Sequence, residues 1–460
     1  MAMSSADMAR LLVALGLLLL AAHGVGQLFA RLHQPRVVGE ITGGLLLGPT
    51  LFGALAPTLQ QAVFPSTGPV AAVLGWSYQL GLLLLMFCSG AELRSVLRRG
   101  EVRVVVSVTV VGVVVPFLAG AALARFVDRG ALMGAAHSEP ALVLVFGLAI
   151  AVTSIPVISR IMLDLGIMET PFARIVLGVA VVEDLVVYVV LALALGMVTA
   201  PGAQQFGLPA VLHLEPGGAG SLGVHSVATV LLFALVLSIG PRAFRWSRRQ
   251  RWNVIAEASP VAYLVLVLFA ATLTCVLLGI TPMFGAFLAG IAASLGRGPR
   301  ATAAREQVRA FSFAVFVPVY FALVGLQLDL LRHFDLLFFA WFLLFACVLK
   351  SASVYLGARL GGEGRTGARN LAVATNARGG PGIVLASVAY GAAIINQGFY
   401  ASLVMLSMAT SLLAGTWLGH VVRSGAPLRD QQPADAPVSP RRRRRAAAAA
   451  SAGPRRRSSR

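Results

Sequence analysis

About thirteen apolar stretches recur along this chain, too long and too closely spaced for a water-soluble core. Crossing a bilayer takes about 20 predominantly apolar residues as a helix. In lipid every backbone N–H and C=O must be satisfied within the protein, which leaves helices as the structure for runs of this length. The stretches lie at 9–30, 36–53, 70–90, 104–125, 141–163, 171–199, 224–241, 260–279, 282–296, 308–328, 334–357, 370–395 and 398–422. The sequence therefore predicts an all-α polytopic membrane protein. Composition agrees, with 58% hydrophobic residues and 12% charged. The first stretch lacks a convincing cleavage site and others follow closely, so it reads as retained. Cys88, Cys275 and Cys347 all fall within stretches and read as packing residues rather than disulfides or metal ligands.

A net charge of +19 would suggest nucleic acid in a soluble protein, but the distribution says otherwise. Alternate connections are arginine-rich, as in Arg94/Arg98/Arg99/Arg103, Arg242/Arg245/Arg248/Arg249/Arg251 and Arg297/Arg300/Arg305/Arg309. The intervening ones hold only Arg125, Arg129 and Arg332. Basic loops stay cytoplasmic, which puts the N-terminus outside, the C-terminus inside and the chain in a cell membrane. Residues 424–460 turn Pro-, Ala- and Arg-rich, with Arg441–Arg445 and Arg455–Arg457. They read as a disordered polybasic tail after a transmembrane domain of residues 1–423, facing anionic lipid rather than nucleic acid.

Two sequence matches point to an internal repeat. Val38-Gly39-Glu40-Ile41-Thr42-Gly43-Gly44 in the second stretch parallels Phe284-Gly285-Ala286-Phe287-Leu288-Ala289-Gly290 in the ninth. Gly90-Ala91-Glu92-Leu93 in the third parallels Gly325-Leu326-Gln327-Leu328 in the tenth. An offset of seven spans is odd, so the two six-helix halves cross the membrane in opposite senses, as in inverted-repeat transporters. Such folds bind substrate where helices in corresponding positions are broken. The fifth stretch carries Thr153-Ser154-Ile155-Pro156 and the twelfth Asn376-Ala377-Arg378-Gly379-Gly380-Pro381-Gly382. Proline removes a backbone donor and glycine favours non-helical dihedrals, so both helices are expected to unwind there.

Lys350 is the single lysine among 37 basic side chains, and it lies within an apolar stretch. A charge at that depth costs on the order of 2.5–3.5 kcal/mol on insertion scales, which calls for a buried partner. Unlike a guanidinium, its ammonium is compact and able to lose its proton when desolvated. Glu183-Asp184, midway along the sixth stretch, supplies the carboxylates. Neighbours on a helix point about 100° apart, so one acid pairs with Lys350 while the other faces a water-filled cavity. There a carboxylate binds a hard cation or a proton but hardly both, and that competition is the basis of exchange. Glu40 lies near the cytoplasmic end of its span, either lining an inner vestibule or facing Arg31 or Arg36.

With these residues together the chain resembles the monovalent cation/proton antiporter superfamily, in its second branch of Kef-type and plant exchangers. The resemblance implies a dimerisation subdomain, a core built on two crossed, partly unwound helices, and a homodimer. It makes Asp184 the ion-binding carboxylate, Glu183 the acid beside it that pairs with Lys350, Thr153-Ser154 the hydroxyl-bearing break and Arg378 the basic residue at the second break. Glu183 departs from the Asp or Asn common at that place. The tail is too short for a nucleotide-binding regulatory domain and no GxGxxG occurs on a strand, so no nucleotide cofactor is expected. The expected activity is exchange of Na⁺ or K⁺ for H⁺, with Thr153, Ser154 and unwound carbonyls as further oxygen ligands. The alternative is an organic-anion transporter on the same inverted-repeat fold, against which two acids and one lysine argue. A membrane-embedded enzyme would need a nucleophile–base pair or metal ligands, and no such spacing is present.

Overall fold

The computed structural model describes residues 3–32, 34–92, 101–198, 254–294, 296 and 298–430, with isolated positions between 231 and 246. The apolar runs become α1 (Ser5–Arg31), α2 (Arg36–Leu47), the short α3 (Phe52–Leu55) and α4 (Pro57–Val63), α5 (Gly68–Glu92), α6 (Val102–Leu123), α7 (Glu139–Ala151), α8 (Ile155–Asp164) and α9 (Pro171–Gly196). After α10 (Val254–Ala258) come α11 (Pro260–Leu277), α12 (Pro282–Ser294), α13 (Pro299–Phe311), a π turn at Ser312–Phe316 and α14 (Val317–Leu326). The chain continues through α15 (Leu330–His333), α16 (Leu336–Gly361), α17 (Arg365–Ala374), α18 (Gly379–Gly391) and α19 (Gln397–Arg423).

Nine helices among the described residues are long and apolar enough to span a bilayer, with α7 and α12 shorter. The expected count of thirteen is not reproduced as continuous helices, because 141–163 and 370–395 are each split in two. The expected seventh stretch, 224–241, falls outside the described residues apart from isolated positions. Arg94, Arg98, Arg99, His33 and residues 431–460 of the tail also fall outside them. Polar caps open several spans. Asp335 accepts from Phe338 N at 3.0 Å and Asn396 from Phe399 N at 2.9 Å, each satisfying an otherwise orphaned N–H.

The helices form two bundles. In one, a panel, α1 packs on α2, α2 on α14, α5 on α12 and α14, and α11 on α12. In the other, a core, α6 packs along α16 and on α7 and α9, α16 meets α17, and α18 lies on α19. Between the bundles, α2 against α19 is the main backbone approach of long helices.

The repeat is visible in individual glycines. A Cβ on Gly39 would strike Val25 and Gly26 of α1, and one on its counterpart Gly285 would strike Ala271 and Thr272 of α11. A Cβ on Gly325 would strike Ile41 and Leu45, and one on Gly90 would strike Phe287 and Ile291. These are the equivalences read from sequence, 38–44 with 284–290 and 90–93 with 325–328. Glycine recurs there because the same backbone-to-backbone approach recurs in each half.

Candidate functional site

The two broken helices meet at their breaks. α7 stops at Ala151, Val152 and Ser154 are extended, and α8 begins at Ile155 with proline in its first turn. Proline is suited to a helix start and not to a helix interior, so the break follows from the sequence. The second break spans Thr375 to Arg378, and Gly379 at φ +22° opens α18. The breaks are knitted together: Ser154 N donates to Ala377 O at 2.7 Å and Thr153 Oγ1 to Thr375 O at 2.5 Å. Ser154 Oγ accepts from Gly380 N at 3.0 Å and from Val157 N at 3.4 Å. One serine hydroxyl thus caps the starts of both outgoing half-helices.

Ending α7 in mid-membrane leaves its last carbonyls without helical partners. Two cations take them. Arg378 donates from Nε to Ala149 O and from Nη2 to Ile150 O, both at 3.0 Å, and Lys350 Nζ donates to Ala151 O at 2.5 Å. A half-helix C-terminus carries partial negative charge, so the placement is electrostatically matched. Arg378 also reaches Ala346 O at 3.0 Å and Asn376 Oδ1 at 3.1 Å. Lys350 also reaches Gly112 O at 3.0 Å and Glu183 Oε1 at 2.8 Å. Lys350, Arg378, Glu183, Thr153 and Ser154 are all buried, so these bonds form in low dielectric.

Asp184 stands apart. It is 0% exposed, and neither carboxylate oxygen accepts a hydrogen bond. Glu183 Oε2 has none either, but Oε1 holds Lys350. Helical spacing puts Asp184 on one stripe of α9 with Leu177, Val181 and Tyr188. Leu177 and Val181 line a cavity of about 910 Å³ between core and panel, so the cavity ends one turn short of Asp184. On the other side the Tyr188 ring packs on Phe287 of α12, with ring centroids 5.0 Å apart. The Tyr188 hydroxyl has no hydrogen-bond partner. A buried carboxylate without partners is costly when charged, so this position suits a group that holds a proton or a bound cation.

The structure therefore joins Glu183, Lys350, Arg378, Thr153 and Ser154 in one network, with Asp184 adjoining it and unbonded. Thr153 and Ser154 hydroxyls are spent on holding the breaks together in this arrangement. Glu40 lines the cavity, as does Arg36. Met283 and Phe284 are buried packing residues. Sequence reading passed over Asn376, which donates to Ser351 Oγ at 2.6 Å while accepting from Arg378. Its place beside Arg378 in a predicted break was the available signal. The carbonyls of Gly112 and Ala151 gave none, since any residue carries a carbonyl.

A helical membrane protein with paired broken helices around a buried acid is, as a class, a secondary transporter. Residues 15–424 match the family described as sodium/hydrogen exchanger, transmembrane, and the chain belongs to that family. It is 28% identical over 413 residues to the Na(+)/H(+) antiporter NhaS4 of Synechocystis sp., covering 88% of this chain and 94% of that one. It is 25% identical over 411 residues to the Na(+)/H(+)-K(+) antiporter GerN of Bacillus cereus, covering 88% and 95%. Cation/H(+) antiporter 18 of Arabidopsis thaliana is 30% identical over 298 residues, which span 34% of that longer protein. Among solved structures, the sodium proton antiporter MjNhaP1 of Methanocaldococcus jannaschii superposes with a TM-score of 0.59 over 91% of this chain and 99% of that one. At 14% identity that likeness concerns the fold. The superfamily expected from sequence is borne out. The finer placement in its second branch is looser than the family match supports.

Proposed function

We propose that the chain exchanges a monovalent cation, Na⁺ or K⁺, for H⁺ by alternating access, with Asp184 as the group that holds either. Family membership makes it a cation/proton antiporter, and the observation that carries the residue assignment is the fully buried, unbonded Asp184 carboxylate. An orphaned acid one turn beyond a cavity is stable with a proton or with a dehydrated cation, and each displaces the other. The oxygens of the break at Thr153-Ser154 complete the cation's shell when the core moves, since a hard cation needs several oxygen ligands. Glu183 and Lys350 neutralise one another beside it, and Arg378 fixes the α7 end. Lys350 is the group that releases a proton if exchange is electrogenic. The sodium/hydrogen exchanger family supports reading the chain as a transporter.

Arg36, Arg160 and Arg305 line the cavity, and since basic segments stay cytoplasmic this supports an inward-facing arrangement in a cell membrane with a cytoplasmic C-terminus. We assign the panel as the surface on which two copies meet. The test is proton flux in proteoliposomes, with Na⁺, K⁺, Li⁺ and choline offered in turn. Wild type responds to Na⁺ or K⁺ and not to choline. Asp184→Asn folds, inserts and shows flux at the level of empty vesicles, because an amide neither titrates nor neutralises a cation. Cation-driven flux in that variant at normal protein levels sinks the assignment.

A further inference from the structure

Past Asp184, away from the cavity, core and panel close on one another through hydroxyl groups. α9 runs from Leu177 and Val181 at the cavity past Asp184 to Tyr188, and α18 runs from the break at Gly379 to Ser387. α14 of the panel starts at the cavity with Val317 and continues through Tyr320 to Val324. Tyr400 of α19 spans the seam, donating from Oη to Val324 O at 3.3 Å. Tyr320 packs on Tyr78 of α5 with ring centroids 5.0 Å apart, and Ser387 of α18 stands among the hydroxyls of Tyr78, Tyr320 and Tyr400. Tyr188, Tyr320 and Ser387 are 4%, 0% and 7% exposed, yet Tyr188 Oη, Tyr320 Oη and Ser387 Oγ complete no contact of hydrogen-bonding geometry. A buried hydroxyl left in this way costs free energy that phenylalanine or alanine in the same space would not. Packing accounts for the rings and not for the oxygens.

We propose that these three hydroxyls line a transient monovalent-cation site on the far approach to Asp184, which forms when core and panel part along this seam. Tyr188 and Ser387 belong to the core and Tyr320 to the panel, so a shift of one bundle against the other opens space between them. A hard cation moving to or from Asp184 exchanges water for protein oxygens in steps. Neutral hydroxyls supply such oxygens without the charge that would trap the ion short of the carboxylate, and the phenol faces attract it further. In the arrangement seen, the Tyr188 ring against Phe287 and the Tyr400 bond to Val324 hold the seam shut while the cavity lies on the other side. The cation role rests on the exchange proposed above; the opening of the seam does not.

The test separates the two faces of the membrane. Cation-driven proton flux is measured in membrane vesicles of both orientations, with Na⁺ or K⁺ varied first on the cavity face and then on the far face. Tyr188→Phe and Tyr320→Phe each raise the half-saturating cation concentration on the far face about fivefold, the loss of one oxygen contact, and leave it at the wild-type value on the cavity face. Their thermal midpoints equal that of wild type or exceed it, since no bond seen here is lost. In a parallel arm Ser387→Cys meets a membrane-impermeant maleimide from each face, with wild type and its own Cys88, Cys275 and Cys347 as the blank. The introduced thiol reacts from the far face only. The proposal is overturned if the two phenylalanine variants match wild type on the far face, or shift both faces equally. It is overturned too if Ser387→Cys, in a chain that exchanges, reacts from the far face no faster than the blank. Far-face reaction in a chain that exchanges nothing refutes the transport reading, and the cation role with it, and leaves the opening of the seam standing.

Discussion

Truncating Lys350 to alanine leaves Glu183 as a buried charge with no counter-ion, beside Asp184 and close to a helix end that has lost a donor. Breaking such a pair costs about 3–5 kcal/mol when the survivor stays charged. Lys350→Ala is therefore expected to lower the thermal midpoint sharply, and Glu183→Gln with Lys350→Ala to recover part of that loss. The recovery is incomplete, because Gly112 O and Ala151 O also lose the ammonium that serves them. Additive losses in the double variant would refute the pair. Lys350→Arg restores charge and some stability, yet an arginine does not give up a proton in this range. Exchange that depends on membrane potential in wild type and not in Lys350→Arg would mark the lysine as a proton carrier.

Among elements, the close helix pairs are the sensitive places. α5 and α12 touch backbone to backbone at Gly90 and Gly290, where a Cβ on either would overlap the other helix. Overpacking of this kind costs about 1–3 kcal/mol, so Gly90→Ala and Gly290→Ala should each lower the thermal midpoint. The double change should cost less than the sum, since helices already forced apart accept the second methyl. Gly75, on the same α5 with nothing near its missing Cβ, provides the control. Gly75→Ala should be neutral or slightly stabilising, because it removes only the entropic weakness of glycine in a helix. Equal effects at positions 75 and 90 would show that the approach of the two helices is not what selects glycine.

At the scale of the whole molecule, the tail composition suggested a boundary at 423, and the described residues continue to 430. Residues 427–430 lie as a strap on the half-helix α17 and the turn before it. Arg429 pairs with Glu363, Asn370 Nδ2 donates to Leu428 O at 3.0 Å, and Asp430 Oδ2 accepts from Thr366 N at 3.0 Å and Gly367 N at 3.3 Å. The Thr366 hydroxyl first, and then the Gly367 and Thr366 amides, hold the Asp430 carboxyl below its ordinary value. A depressed carboxylate contributes above the unfolded pKa and loses its contribution as pH falls through the folded one. The Asp430 contacts therefore hold at neutral pH and weaken as pH falls through the depressed folded pKa. A chain ending at residue 430 should exchange like wild type. One ending at 423 should be less stable and slower, since α17 carries the second break at its far end. Identical exchange from the two truncations, at equal protein levels, would show that the strap is idle.

Run length, arginine bias and the Gly and Pro positions determined much of this protein without any structure. They specify a helical membrane protein, an inverted repeat with its equivalences, two breaks in matching places and the residue types at the site. Each is a local rule, since apolar length sets spans and proline or glycine ends a helix wherever it occurs. Spacing left open which acid holds Lys350, because adjacent carboxylates on a helix differ only in the direction they face; the resemblance implied Glu183, and the fold brings that one to the ammonium. Tertiary structure alone decided that Arg378 and Lys350 serve the end of α7, which joins residues more than 190 positions apart in sequence. The docked strap was likewise beyond composition, because a short polar segment is indistinguishable from tail until its partners are brought beside it. Asp184 shows both sides. Its presence in an apolar span was legible, whereas its isolation from every donor depends on how two bundles close around it.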